Sequence, residues 1–358
     1  MKIIIDIGHP GHVHYFRNLY ATLSQKGHEF LFISRKREVI EKLMQFYEIQ
    51  YISRGKGKNS KWGKLAYMIY ADFFILKASL KFNPDLFLSF SSPYAAQTAF
   101  IMGVPHIALN DTEHTDKIHK RFTYPFTKAI ITPMSYQNNL GVKQIRLNCV
   151  IETLYLHPNQ FNPNPSIYEL LGLPNKGKYA IIRFVSWNAF HDTNQQGLSI
   201  QLKRQIIKLL EIHYKVFISS ETKIEPEFEE YQIKIPPERM HDALAFASVF
   251  VGESGTMASE CVQLGVPTIY VNSLPLMCYL NLAQEHGILK HFKNEEGVLK
   301  HLEILIKTAK LKDNVREKRD SMIKDFINPT KFLAWFIENY PDSFETMRIN
   351  PEYQYHFR

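Results

Sequence analysis

Along this chain, short β-branched apolar runs alternate with longer segments whose apolar positions recur every three or four residues. Residues 2–6 precede a helical pattern from about Gly11, in which Val13, Phe16, Leu19 and Leu23 share one face. Residues 29–34 precede a helix through Tyr47, and residues 86–90 precede one over 94–102. Strand, helix, strand in this rhythm predicts a parallel sheet with crossover helices. Runs at 105–110 and 129–132 extend the first series. Residues 157–178 then gather four prolines and several asparagines and read as a linker. A second series opens at 179–184 and continues through a helix near 201–212 and strands at 215–219, 249–252 and 268–271. Past Asn294 the chain becomes helical and charged, and Pro329 starts a closing helix with an aromatic stripe.

The expected architecture is α/β: two Rossmann-like parallel-sheet domains facing a cleft, with a C-terminal helix packing back on the core. The expected divisions are a first domain at 1–157, a linker at 158–178, a second domain at 179–328, and a closing helix and tail at 329–358.

Composition narrows the class. A chain of 358 residues, 45% hydrophobic and 22% charged, has the length for two folded domains and excludes disordered and fibrous types. Its net charge of +8 suits an anionic ligand or membrane surface and does not require nucleic acid. Cys149, Cys261 and Cys278 are too scattered for a disulfide framework or a zinc site, and read as buried thiols in a reducing compartment. The opening apolar run is too short for a secretory signal and contains Asp6. The apolar stretch 65–80 is broken by Asp72 and Lys77 and falls short of the roughly 20 residues that cross a bilayer. A cytoplasmic protein, able to touch a membrane's inner face peripherally, is expected.

The strongest local signal is GESGTMASECVQLGVPTIYV, residues 252–271. An apolar strand, a Gly-Glu-Ser-Gly turn and a helix of small residues present first-turn amides, without intrahelical acceptors, to an anion. Ser254, Gly255 and Thr256 are placed to meet a phosphate, and Glu260, one to two turns in, to accept ribose hydroxyls. The same residues also read as an ordinary N-cap and tight turn.

Other constellations lie where strands of an open sheet end, the usual ligand edge. Gly8, His9, Gly11 and His12 form the first βα loop, with the histidines as acid, base or phosphate donors, or simply as loop polarity. His14 reads as a helix-surface residue. Asp111, Glu113, His114 and Asp116 offer general-base candidates or an acidic, capped helix start. In the run RFVSWNAFHD, Arg183 and Ser186 suit phosphate oxygens, Trp187 a base or sugar, and His191 with Asp192 an oriented imidazole; a capped turn with a core tryptophan is the plainer reading. Ser219, Ser220 and Glu221 are placed to line a base pocket, and residues 237–241 to cap its edge. The loop from Arg54 to Lys64 carries Arg54, Lys56, Lys58, Lys61 and Lys64 before an aromatic helix. It suits anionic lipid headgroups or a lipid-linked acceptor, and equally a mobile loop beside a buried helix.

The turn around Ser254 resembles the nucleotide signature of the non-hydrolysing UDP-N-acetylglucosamine 2-epimerases and, more broadly, is similar to GT-B glycosyltransferases. Ser254, Gly255 and Glu260 match position by position, while Thr256 and Ser259 replace a glycine and a glutamate. Closer still is the resemblance to the family catalogued as domain of unknown function 354. Its motifs GHPGHVHYF, DTEH followed by TYP and TP, RFVSWNAFHD, ISSE and HDALAFASVFVGESGTMASE recur along nearly the whole chain.

This resemblance implies a GT-B-like fold, a nucleotide-sugar site and a link to surface-polysaccharide synthesis. Glu113 is the nearest counterpart of an epimerase proton-transfer acid. The second epimerase carboxylate has no counterpart, because residues 86–110 hold Ser89, Ser91 and Ser92 but no Asp or Glu. The expectation is a glycosyltransferase using a nucleotide-diphosphate sugar, with uridine the expected base and a glycan or lipid-linked acceptor. It needs no cofactor, no metal and no nucleic acid. The alternatives are an epimerase or hydrolase of the same donor, and a non-catalytic nucleotide-sugar-binding protein.

Overall fold

The computed structural model describes residues 1–58, 60–185, 198–220, 224–276 and 278–358, apart from the side chains at 61, 62, 64 and 65. Ser186, Trp187, His191, Asp192 and Glu221 lie outside the described residues. The chain divides into two units: Met1–Tyr155 with Asp325–Arg358, and Leu156–Lys324.

The first unit opens with β1 (Lys2–Ile7), α1 (Pro10–Ser24), β2 (Glu29–Ser34), α2 (Glu38–Phe46) and β3 (Tyr51–Ser53). It continues through α3 (Lys61–Phe82), β4 (Leu86–Ser89), α4 (Pro93–Ile101), β5 (His106–Leu109), α5 (Asp116–Phe122), β6 (Ala129–Pro133), β7 (Gln144–Leu147) and the short α6 (Thr153–Leu156). Its sheet is parallel throughout, in the order β3-β2-β1-β4-β5-β6-β7. The order reverses between β1 and β4, and the carboxyl ends of strands flanking such a point are where open sheets bind ligands.

The second unit holds α7 (Ile167–Leu170), β8 (Tyr179–Phe184), α8 (Ile200–Glu211), β9 (Lys215–Ser220), α9 (Met240–Phe246) and β10 (Val249–Gly252). Then follow α10 (Gly255–Gln263), β11 (Thr268–Val271), α11 (Cys278–Glu285), β12 (Leu289–Phe292), α12 (Val298–Lys307) and α13 (Leu311–Ile323). Its parallel sheet runs β12-β11-β10-β8-β9, with the reversal between β8 and β10. The chain then returns to the first unit through α14 (Pro329–Glu338), which packs on α1, and α15 (Asp342–Ile349).

Fully buried strands explain the continuous apolar runs. Ile4, Ile33 and Phe87 pack with Ile75 of α3 and with Ala95 and Ala99 of α4, while Ile182, Val251 and Ile269 pack with Leu202 and Ile206 of α8 and Leu302 of α12. A polar cap followed by proline or glycine starts the helices after the strands: His9–Pro10, Ser92–Pro93, Ser254–Gly255 and, at the return, Asn328–Pro329.

Three expectations are corrected. His14 is 6% exposed, stacked on Tyr155 and hydrogen-bonded to Tyr47, because its position on α1 faces the packed side of the helix. Arg54 is no mobile loop cation; it is 2% exposed and ion-paired with Asp6. The helix after the basic loop is not simply buried, since Phe73 and Leu80 of α3 are well exposed. Cys149, Cys261 and Cys278 are free and buried. Among the described residues no helix is long and apolar enough to cross a membrane, and no cluster of His, Cys, Asp or Glu suits a metal ion.

Candidate functional site

In the first unit the candidates collect at the carboxyl edge of the sheet. His9 caps α1: its Nδ1 accepts from Gly11 N at 3.2 Å. One turn on, His12 Nδ1 accepts from Gly8 N at 3.3 Å, with the His12 ring 5.1 Å from Phe90 and 5.9 Å from His9. With Nδ1 occupied as an acceptor, the neutral ring carries its proton on Nε2. Burial, and then the charges of His9, Arg54 and Arg37, hold His12 well below the usual histidine range. The His12 imidazole therefore carries its donor at Nε2, which suits an oxyanion better than proton abstraction.

Beneath this loop lies a pair that the sequence did not announce. Arg54 Nε and Nη2 donate to the two oxygens of Asp6 at 2.9 and 3.2 Å, and Nη1 donates to Tyr67 Oη at 2.6 Å. Ser92 Oγ, the cap of α4, donates to Asp6 Oδ2 at 2.6 Å. The Arg54 guanidinium also sits 4.7 Å from the Tyr94 ring centroid. A Cβ added to Gly8 would lie 3.9 Å from Arg54 Nη2, so the pair underlies the first loop. Buried ion pairs of this kind cost desolvation and hold geometry rather than adding much stability.

After β5 the four acidic and imidazole candidates separate. Asp116 is corrected from base to scaffold: 4% exposed, it accepts from Tyr136 Oη at 2.5 Å, Tyr124 Oη at 3.1 Å and Asn138 Nδ2 at 2.9 Å. Glu113 Oε1 accepts from Gln137 N at 2.8 Å, which ties that carboxylate to the neighbouring loop, and His114 is exposed. Asp111 is half-buried at the strand end, accepts from Thr112 Oγ1 at 2.7 Å, and is pushed up to about 6 by burial, against the Thr112 hydrogen bond and with the help of Glu113. A carboxylate held at that value has the proton affinity of a base working near neutrality.

Between β4 and β5, where residues 86–110 hold no carboxylate, Ser89 heads a buried chain of hydrogen bonds. Ser89 Oγ accepts from Ser92 N at 2.9 Å and meets His106 Nε2 at 2.9 Å; His106 Nδ1 meets Thr127 Oγ1 at 2.9 Å, and Thr127 Oγ1 donates to Thr123 O at 2.9 Å. Burial holds His106 down at about 3, so the ring is neutral, donating from Nδ1 and accepting at Nε2.

In the second unit Ser254 caps α10, its Oγ accepting from Met257 N at 3.4 Å. The first-turn amides of Gly255 and Thr256 lie ahead of any intrahelical acceptor. Ser254 and Gly255 are half-buried and Thr256 is exposed, so the turn is open rather than packed under side chains. Glu260, 6% exposed and one turn further, meets His241 Nε2 at 3.1 Å. Asp242, beside His241, is structural: it accepts from Arg239 Nε at 2.6 Å and Asn164 N at 2.8 Å.

Arg183, at the end of β8, donates from Nη1 to Ser219 Oγ at 2.7 Å, and Ser220 closes β9 beside it. A Cβ on Gly252 would fall 2.8 Å from Arg183 Cβ and 2.7 Å from Phe250 Cζ, so only glycine lets β10 approach β8 here. Two residues escaped the sequence reading. Glu253, 2% exposed, accepts from Val185 N at 3.1 Å and Leu198 N at 2.7 Å and so joins two chain positions 13 residues apart. Tyr270 places its hydroxyl 3.4 Å from where a Gly255 Cβ would be, with its ring stacked on His291; burial, followed by the charge of Glu253, keeps that hydroxyl protonated. A charged residue directly after an apolar strand was the available signal for Glu253; for Tyr270 there was none.

Three comparisons bear on this geometry. The family model described as Protein of unknown function (DUF354) matches residues 1–329. The uncharacterized protein MJ0665 of Methanocaldococcus jannaschii is 24% identical over 282 residues, covering 75% of this chain and 81% of that protein. Among solved structures, UDP-GlcNAc 2-epimerase from Neisseria meningitidis bound to UDP-GlcNAc superposes with a TM-score of 0.67 at 13% identity, over 95% of this chain and 100% of that one. The Streptomyces sp. SF2575 glycosyltransferase SsfS6 gives 0.61 at 15% identity, over 95% and 100%. The fold is thus GT-B-like.

Proposed function

This chain belongs to the DUF354 family, and we propose that it is a glycosyltransferase that takes a nucleotide-diphosphate sugar, with uridine the expected base, during synthesis of a surface glycan. The observation that carries the reading is the open, Ser254-capped first turn of α10 with the buried Glu260 beneath it. In this reading the Gly255 and Thr256 amides and the helix dipole take the diphosphate, while Glu260 takes the ribose hydroxyls. Arg183 stands at the neighbouring strand end as a further phosphate partner.

The first unit supplies acceptor chemistry. Asp111 accepts the proton of an acceptor hydroxyl as its oxygen forms a bond to the anomeric carbon. The bond from that carbon to the phosphate oxygen breaks, and the nucleoside diphosphate leaves with the electron pair, stabilised by hydrogen-bond donors. His12, whose Nδ1 accepts from Gly8 N, suits the donor role through Nε2–H. A single base suffices for transfer, and residues 86–110 hold no second carboxylate for proton abstraction and return on opposite sugar faces. The acceptor is a glycan or lipid-linked glycan, and the reaction is placed in the cytoplasm.

The test is a thermal-shift panel of UDP, GDP, CMP and their sugars on the whole chain. A saturating ligand at a hundredfold excess over its Kd adds about 2.7 kcal/mol of stability. Incubation with the stabilising donor alone then separates the readings: an intact donor fits a transferase awaiting its acceptor, whereas an epimerised or released sugar means epimerase or hydrolase. A well-folded sample that none of these ligands stabilises overturns the proposal.

A further inference from the structure

The helix α3 is apolar on two opposite sides, which one sheet cannot bury. Tyr67, Ala71 and Ile75 are buried, and Ile75 packs on the strands, yet Ile69, Phe73 and Leu80 are 58%, 72% and 69% exposed. At 3.6 residues per turn these three fall within about 40° of one another, forming one stripe. Tyr70 widens it, and α4, packed beside α3, exposes Phe100 and Ile101. Exposed apolar groups so concentrated mark an interaction surface.

Among the described residues, the exposed charges of α3 and of the loop before it are of one sign. Lys77 and Lys81 are exposed along its flank, and Lys56 and Lys58 are exposed in the loop before α3. The one acid of the helix, Asp72, is half-buried with Oδ1 enclosed, and burial pushes it up to about 7. A second copy of the chain would bring a lysine rim against a lysine rim. An anionic sheet of headgroups over an apolar interior complements both parts of the face.

We propose that this face docks on an anionic phospholipid surface, with Ile69, Phe73 and Leu80 entering the headgroup boundary and Lys56, Lys58, Lys77 and Lys81 meeting the phosphates. The loop before α3 follows β3 at the carboxyl edge of the sheet, the edge that also carries His9, His12 and Asp111. Docking there delivers a lipid-linked acceptor to the edge with the base. This consequence rests on the proposed function, whereas the docking itself does not.

The experiment is flotation of the full chain with vesicles of phosphatidylcholine alone or mixed with phosphatidylglycerol, at low and high salt. Binding to the mixed vesicles, weakened by salt, is expected. Each Lys77→Gln or Lys81→Gln change should weaken it about fivefold, and Phe73→Glu with Leu80→Glu should abolish it without changing the circular dichroism spectrum or the nucleotide thermal shifts. Failure to float with the mixed vesicles overturns the inference. So does a dimer in solution that Phe73→Glu with Leu80→Glu converts to monomer, which would make the stripe a chain–chain interface. Nucleotide binding is read separately, so neither result depends on the donor.

Discussion

Glu260 meets the imidazole of His241 at 3.1 Å, with both side chains more than nine-tenths buried. The contact fixes the carboxylate in one rotamer beneath the open turn of α10, and a preset acceptor loses little entropy on binding a ribose. Glu260→Gln is expected to lower UDP affinity about tenfold or more, the scale of a hydrogen bond to a charged group. Inorganic pyrophosphate, which lacks the ribose, should bind the variant and the parent alike. Calorimetric titration of both ligands reads the difference, and unchanged UDP affinity would remove Glu260 from the site.

Tyr270 tests the phosphate end. Its protonated hydroxyl stands at the first turn of α10, so Tyr270→Phe removes one donor and keeps the ring on His291. A loss of about five- to tenfold in nucleoside-diphosphate affinity is expected, with the melting temperature of the ligand-free protein nearly constant. A large drop in that temperature instead would make the hydroxyl structural.

Asp111 sets a pH dependence of two signs. As a base it works deprotonated, so kcat/KM should rise through pH about 6 to a plateau, and Asp111→Asn should lose about a hundredfold or more. Burial also raises the folded carboxyl above its unfolded value, so the folded state holds the proton more tightly and stability falls as pH climbs from about 4 to about 6. Asp111→Asn is therefore expected to be more stable than the parent at pH 7 and far less active. A variant that is weaker on both counts would refute the assignment.

His106 runs the other way. Its folded ring titrates near 3 and an unfolded histidine near 6.5, so unfolding takes up a proton between these values. Stability from the neutral ring is present above 6.5 and drains away as pH falls toward 3. Urea midpoints measured across that window should drop steeply for the parent and less steeply for His106→Gln. Parallel slopes would mean that another group dominates acid unfolding.

Both sheets were legible because their central strands are buried on two faces and therefore write unbroken apolar runs. The edge strands β3, β7 and β12 escaped: Tyr51–Ser53 has three residues, and Gln144–Leu147 and Leu289–Phe292 carry polar or charged positions that an edge tolerates. The turn at Ser254 was readable because strand, cap and glycine sit together in sequence. The Asp6–Arg54 pair was not, since 48 positions separate its partners and only the β1–β2–β3 register brings them together. His14 misled because polarity suggested the surface, while two tyrosines from other segments give it a buried berth. Asp116 looked like its acidic neighbours; the tyrosines that claim it come from farther along the chain.

The return of Asp325–Arg358 to the first unit, with α14 laid on α1, also orders events on the ribosome. The second unit is one uninterrupted stretch and can finish as it emerges. The first must wait, nearly complete, until residues 325–358 have followed the second unit out. Until then the α1 surface that α14 covers stays open, and transiently exposed surface of this kind invites misassembly.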